Sequence, residues 1–244
     1  MRMYKTSYKR KIGPHLLQMK TEKKMNSIKG FDVMEAYLCK NAIMKIVSQE
    51  ILREIYRQPS GRATKKSMPN LDFHAKNFIS KSPFLILSSS NKKGEMDTSP
   101  RGGAGGFVKV IGDNQIVIPD SKGNNRLDSL TNIIDTGRVS SLFLLPGIDE
   151  TLRLNGSAFI STDHKLLDLF VDEKNIPASC IVIEVEEVFL HCAKALMRSK
   201  LWSTETQTNP KEFPTMGQML KDQLQSPDEA ETREDMIKRY TPDL

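Results

Sequence analysis

The chain has 244 residues, 38% hydrophobic and 27% charged, the balance of a globular protein with some solvated extension. Its best apolar stretch, Ser141 to Ile148, is interrupted by Pro146 and Gly147 and falls far short of the roughly 20 residues a membrane-spanning helix needs, so no membrane partner is expected. The net charge of +6 sits in the first 30 residues, where nine Lys or Arg face the single acid Glu22; the body then holds 27 bases against 29 acids, which argues against a nucleic-acid-binding domain.

In chain order, residues 1–30 read as a basic, disordered arm, and residues 31–80 as a helical region. The scarcity of acids in the arm also fits an organelle import segment, against a cytoplasmic default. Val33, Met34, Tyr37 and Leu38, then Ile46, Val47, Ile51 and Ile55, recur at helical spacing until Pro59-Ser60-Gly61. A second helix is expected from an Asn70 cap to Ser80, turning Phe73, Phe78 and Ile79 toward the body. The body, 81–202, changes texture: strands are expected at Phe84–Leu87, Met96–Arg101, Gly106–Ile111, Gln115–Ile118, Val139–Leu145, Thr151–Ser161 and Ile181–Phe189. One helix opens near Asn124 or Asn125, with Leu127, Leu130, Ile133 and Ile134 on one face, and a short one covers Asp163–Phe170. Over 203–244, Thr215-Met-Gly-Gln218 and Ser226-Pro-Asp-Glu229 both fit capping boxes of peripheral helices. Short strands joined by tight turns, with one inserted helix, imply a mainly β (α+β) fold: a small antiparallel barrel with helices at both ends.

Several chemistries can be set aside. The three cysteines, Cys39, Cys180 and Cys192, have no metal-ligand spacing and read as reduced thiols. The four histidines are far apart, no P-loop spacing occurs, and Gly102-Gly103-Ala104-Gly105-Gly106 leads into a strand where a dinucleotide site needs a helix. The informative segment is Pro119–Leu130, in which a strand ends, a glycine loop turns and a helix begins between Lys122 and Arg126. Free N–H groups at a helix start attract anions, and Asn124 and Asn125 can cap the helix or donate to phosphate oxygens. The same features suit a capped surface helix with solvated cations, and local sequence leaves both readings open. Arg101, entering the glycine patch, suits bidentate phosphate recognition, although taken alone it reads better as a surface arginine on a loose loop. Beyond the last strand, Lys194 and Arg198 share a helix face at i,i+4. Cys192 beside His191 lacks an orienting acid and reads as a buried thiol, and Trp202 reads as packing.

Taken in order, Ser99-Pro100-Arg101-Gly102, Gly123-Asn124-Asn125-Arg126 with Asp128-Ser129-Leu130, and His191-Cys192 with Lys194-Ala195, Arg198-Ser199 and Leu201-Trp202 resemble the pyridoxamine 5′-phosphate oxidase-like flavoproteins, over roughly Ser48 to Trp202. The resemblance implies a split β-barrel that forms homodimers and binds FMN in a groove between two copies. Arg101, Lys122 and Arg126 would hold the phosphate, with Ser99, Gly102, Asp120, Asn124 and Asn125 beside it. His191, Lys194 and Arg198 would complete the cofactor site, His191 and Lys194 approaching the ring or a small-molecule substrate. It implies an FMN-dependent oxidoreductase that needs no side-chain nucleophile. The alternative is a flavin or haem carrier or sensor without turnover. Gly103-Ala104-Gly105 stands where many relatives carry Asp-Pro, a difference that would alter the charge near the ligand.

Overall fold

In a computed structural model of the chain, residues 45–172 and 174–243 are described. The basic arm, the helical spacing over 31–44, His15 and Cys39 lie outside them. The chain divides into two units, Met1–Pro59 and Ser60–Leu244. In the first, helix α1 (Gln49–Ile55) is capped by Ser48, whose hydroxyl accepts from the Ile51 N–H at 3.3 Å, and it ends at an extended Tyr56.

The second unit carries the remaining elements. Helix α2 (Phe73–Lys81) is followed by β1 (Phe84–Ser90), β2 (Met96–Gly102), β3 (Lys109–Ile111) and β4 (Gln115–Pro119). Helix α3 (Asp128–Thr136) leads to β5 (Arg138–Leu144), β6 (Thr151–Ser161), α4 (His164–Leu167) and β7 (Cys180–His191). Helices α5 (Lys194–Ser199), α6 (Met216–Leu224) and α7 (Arg233–Tyr240) follow. All seven strands form one antiparallel sheet in the order β2-β1-β5-β6-β7-β4-β3. Its two edges, β2 and β3, are consecutive in the chain, yet no ladder joins them. Leu85 and Leu87 of β1, Ile116 and Ile118 of β4, Phe143 of β5, Leu152 and Leu154 of β6, and Ile181 and Ile183 of β7 all enter one core cluster. A sheet whose two flanks meet in one core is curled, and with its edges unpaired it is a split barrel.

Alternation explains which residues turn inward. Val117, Cys180 and Val182 point the other way and join Phe170 in a second cluster beneath the segment after β6, so β4 and β7 are covered on both faces. A bulge at Asn155/Gly156 bends β6 where a Cβ on Gly156 would run into the Glu184 carbonyl oxygen, so only glycine fits. On the other face of β6, Asn155 accepts from Ser140 at 2.7 Å and donates to Glu187 at 2.6 Å. Its amide is committed to the sheet.

Several expected boundaries move. Asp72, not Asn70, caps α2, its carboxylate accepting from the Ala75 N–H at 2.7 Å; this rotates Ala75 and Ile79 into the core and leaves Phe73 exposed. The strand expected from Gly106 starts at Lys109, because Phe107 and Val108 are buried on a turn closed by Phe107 N–H to Ala104 O at 3.0 Å. Helix α3 begins at Asp128 and buries Ser129, Leu130, Asn132 and Ile133, which leaves Ile134 outside that stripe and exposed. Thr215 caps α6 as expected. The Ser226 box forms only a turn, and α7 starts after Thr232, whose hydroxyl accepts from the Asp235 N–H at 3.1 Å.

Candidate functional site

The edge strand β2 brings three polar side chains to the inner side of the sheet. Asp97, Ser99 and Arg101 alternate with exposed Met96, Thr98 and Pro100, and they pair in register with Ser89, Leu87 and Leu85 of β1. Pro100 is tolerated because an edge strand has one side without a ladder to supply. The glycine patch serves packing: Gly103 donates to the Pro83 carbonyl at 3.0 Å, and a Cβ there would press into the Phe107 side chain at 2.7 Å.

β2 runs alongside the segment that leaves β4. Arg101 Nη1 donates to Asp120 at 2.9 Å, and these side chains are only 17% and 21% exposed. Four residues back on the same face, Asp97 accepts from the buried Ser129 hydroxyl in the first turn of α3 at 2.5 Å. One strand thus anchors both ends of the 120–128 loop. Inside it, Asn124 accepts from the Arg126 N–H at 3.1 Å, and Asn125 and Leu127 adopt left-handed conformations. For a leucine that conformation costs about 1–2 kcal/mol. Leu127 occupies the cap position and no side chain caps α3, which corrects the expectation of an asparagine cap.

Each expected phosphate cation has a carboxylate partner. Arg101 is held by Asp120, and Arg126 donates to Asp128 at 2.8 Å. Lys122 donates to Asp243 at 2.8 Å, 121 residues away in sequence. Asp128, through its hydrogen bond first and its charge second, raises the Arg126 pKa, and Asp97 adds to this through space. The buried Nε of Arg101 has no hydrogen-bond partner among the described residues. Ser99 lies half-buried between Asp97 and Arg101, and Gly102 ends the strand.

The second group is elsewhere. His191 ends β7 opposite Thr151, and Lys194 and Arg198 follow on α5; all three are exposed. Among the described residues no hydrogen bond or ion pair joins them to the Arg101–Lys122–Arg126 group. Trp202 Nε1 donates to the Ile148 carbonyl at 3.0 Å and ties the segment after α5 to the β5–β6 turn. Cys192 is exposed, not buried, because the ladder has ended one residue earlier. Cys180 is the buried thiol; burial first, and nearby Asp163 second, push its pKa up. Two clefts, of about 500 Å³ at the start of α2 and about 670 Å³ between the α6 and α7 segments, include none of the candidate site residues. No group of three or more His, Cys, Asp or Glu suited to a metal occurs among the described residues, and no helix there is long and apolar enough to cross a membrane.

Sequence reasoning placed Asp120 at the site but missed Asp97, Asp128 and Asp243. Asp97 was legible as lying two and four residues before Ser99 and Arg101 on one strand face. Asp128 was visible at the helix start. Nothing in the sequence pointed to Asp243.

The family described as pyridoxamine 5′-phosphate oxidase matches residues 71–192, half of the chain. No curated protein matches. Among solved structures, HupZ of Group A Streptococcus is 17% identical, with a TM-score of 0.42 over 49% of this chain and 93% of its own. A Lactobacillus delbrueckii protein assigned as a pyridoxamine 5′-phosphate oxidase is 16% identical, with a TM-score of 0.40 over 51% and 98%. The haem storage protein HutZ of Vibrio cholerae is 11% identical, with a TM-score of 0.37 over 49% and 94%. The matched residues run from just before α2 through β7 and so take in every strand of the sheet; the chain belongs to the pyridoxamine 5′-phosphate oxidase-like family of split barrels.

Proposed function

We propose that the protein binds FMN, with its phosphate on the 120–128 loop, and acts as an FMN-dependent oxidoreductase on a small molecule. The observation that carries this reading is Arg101: a largely buried guanidinium, brought from another strand onto the start of a loop that also carries Lys122 and Arg126 and leads into a helix with no side-chain cap. A phosphate monoester fits the donor set. It carries close to two negative charges at neutral pH, and guanidinium forks bond its oxygens in pairs.

Arg101 would fix the phosphate from the barrel side, and Lys122 and Arg126 from the loop side. The first-turn N–H groups of α3 would add donors aligned with the helix dipole. Asp120 keeps the Arg101 fork oriented, as Asp128 does for Arg126. FMN, when bound, supplies the redox chemistry, which leaves the side chains to bind, orient and exclude water. In a homodimer, His191, Lys194 and Arg198 of a second copy would reach the same ligand from across the groove and approach the ring or the substrate.

The test is direct. The purified full chain should show flavin absorption bands, either as isolated or after incubation with FMN. Charge-assisted hydrogen bonds are worth about 1.5–3 kcal/mol each, so Arg126→Ala should weaken FMN binding roughly ten- to a hundredfold, and more than Lys122→Ala. Riboflavin, lacking the phosphate, should bind poorly and be indifferent to Arg126→Ala. Protein that stays colourless with FMN overturns the reading, and equal losses for both ligands would make Arg126 a support of the fold. Bound flavin that never cycles with any reductant or substrate would favour a carrier.

A further inference from the structure

Of the three ion pairs on the loop, two are local to the site and one is not. Arg101–Asp120 joins the loop to β2 and Arg126–Asp128 lies at its end, whereas Lys122 takes its partner from a helical turn, Thr241–Asp243, that follows α7. That turn is pinned twice more: Lys174 Nζ donates to the Thr241 carbonyl at 3.1 Å, and the Asn175 amide to the Pro242 carbonyl at 3.3 Å. On its other side the Thr241 hydroxyl donates to the Ile237 carbonyl at 2.7 Å and makes the turn continuous with α7. A chain segment distant in sequence therefore lays a carboxylate on one of the loop's cations.

We propose that Thr241–Asp243 is a strap that competes with a phosphate monoester for Lys122 and is released when the phosphate binds. The proposal rests on the FMN-phosphate reading above. The competition is one of charge. The Lys122 side chain is 71% exposed, and an exposed ammonium–carboxylate pair is a weak contact. An incoming phosphate brings about twice the charge and, on the Arg101–Arg126 framework, several charge-assisted hydrogen bonds at once. Asp243 cannot hold Lys122 against it, and a phosphate that draws the exposed ammonium onto that framework loosens the Asp243 contact. By linkage, the strap lowers phosphate affinity by the factor by which phosphate loosens the strap.

The experiment has a ligand-free arm and a ligand arm. In the ligand-free full chain, Asp243→Asn and Lys122→Met should each speed amide hydrogen exchange across residues 237–243. In wild type, saturating FMN should speed exchange in the same segment. Asp243→Asn should tighten FMN binding by roughly two- to fivefold, the worth of one exposed ion pair, and leave riboflavin binding unchanged. The proposal is overturned if Asp243→Asn weakens FMN binding or leaves it alone, or if FMN slows exchange over 237–243; the turn would then be part of the folded site. FMN binding with an unresponsive strap would overturn this proposal alone. Wild type that binds no FMN would overturn both it and the reading on which it rests.

Discussion

Strands β7 and β2 belong to one sheet, and they use their inner faces in opposite ways. β7 buries Cys180, Ile181, Val182 and Ile183 in succession, because the barrel core covers one face and Phe170 and its neighbours cover the other. β2 buries no residue fully, and its inner side carries Asp97, Ser99 and Arg101. Burying a side chain such as Leu or Ile contributes about 1.5–3 kcal/mol. β2 forgoes that contribution along its length and instead holds charges at a rim that meets the 120–128 loop. Apolar burial is concentrated where the sheet is covered, and charged side chains where it is open.

Substitutions can break or sharpen this contrast. Phe143→Ala, at a fully buried position on β5, should cost about 3–5 kcal/mol in denaturant unfolding and leave the FMN affinity of the folded fraction unchanged. An affinity loss there that tracked the stability loss would erase the distinction between core and rim. Arg101→Ala should do the reverse. Leaving Asp120 without its partner should cost about 1–3 kcal/mol, while FMN binding should fall roughly ten- to a hundredfold. If its effect fell wholly on stability, Arg101 would belong with the core.

The smallest effect is a pH dependence on the polar half of β7. The Ser67 hydroxyl first, and the Asn155 amide second, hold the Glu187 carboxyl below its usual range. A carboxyl whose folded pKa is depressed contributes stability above its unfolded value of about 4.3, and loses it as the pH falls through the folded value. Thermal unfolding of wild type and Ser67→Ala should therefore differ at neutral pH and converge in acid. Curves that stayed separated at every pH would assign the Ser67 effect to packing.

The strands from Phe84 to His191 could be read from the chain because alternation and turn glycines act between neighbours in sequence, so their signal is local. Lys122, Arg126 and Arg101 could be singled out for the same reason: a strand end, a glycine loop and a helix start leave a compact trace. Boundaries moved wherever tertiary packing chose among near-equivalent caps. Asp72 replaced Asn70 because only that start turns Ala75 and Ile79 inward. Leu127 took the α3 cap position because Asp97 on β2 holds Ser129 in the first turn of the helix.

What only the fold decided is which charges meet. Local spacing determines that Asp128 lies within reach of Arg126. It is silent on Asp120 meeting Arg101 and on Asp243 reaching Lys122, because ion pairs set by chain curvature over 19 or 121 residues leave no periodicity behind. The sequence by itself determined an antiparallel barrel and a cationic loop between a strand and a helix. The tertiary structure decided that every cation there already holds a carboxylate, since closing the barrel carries β2 against the loop and packing after α7 delivers Asp243 to the same rim.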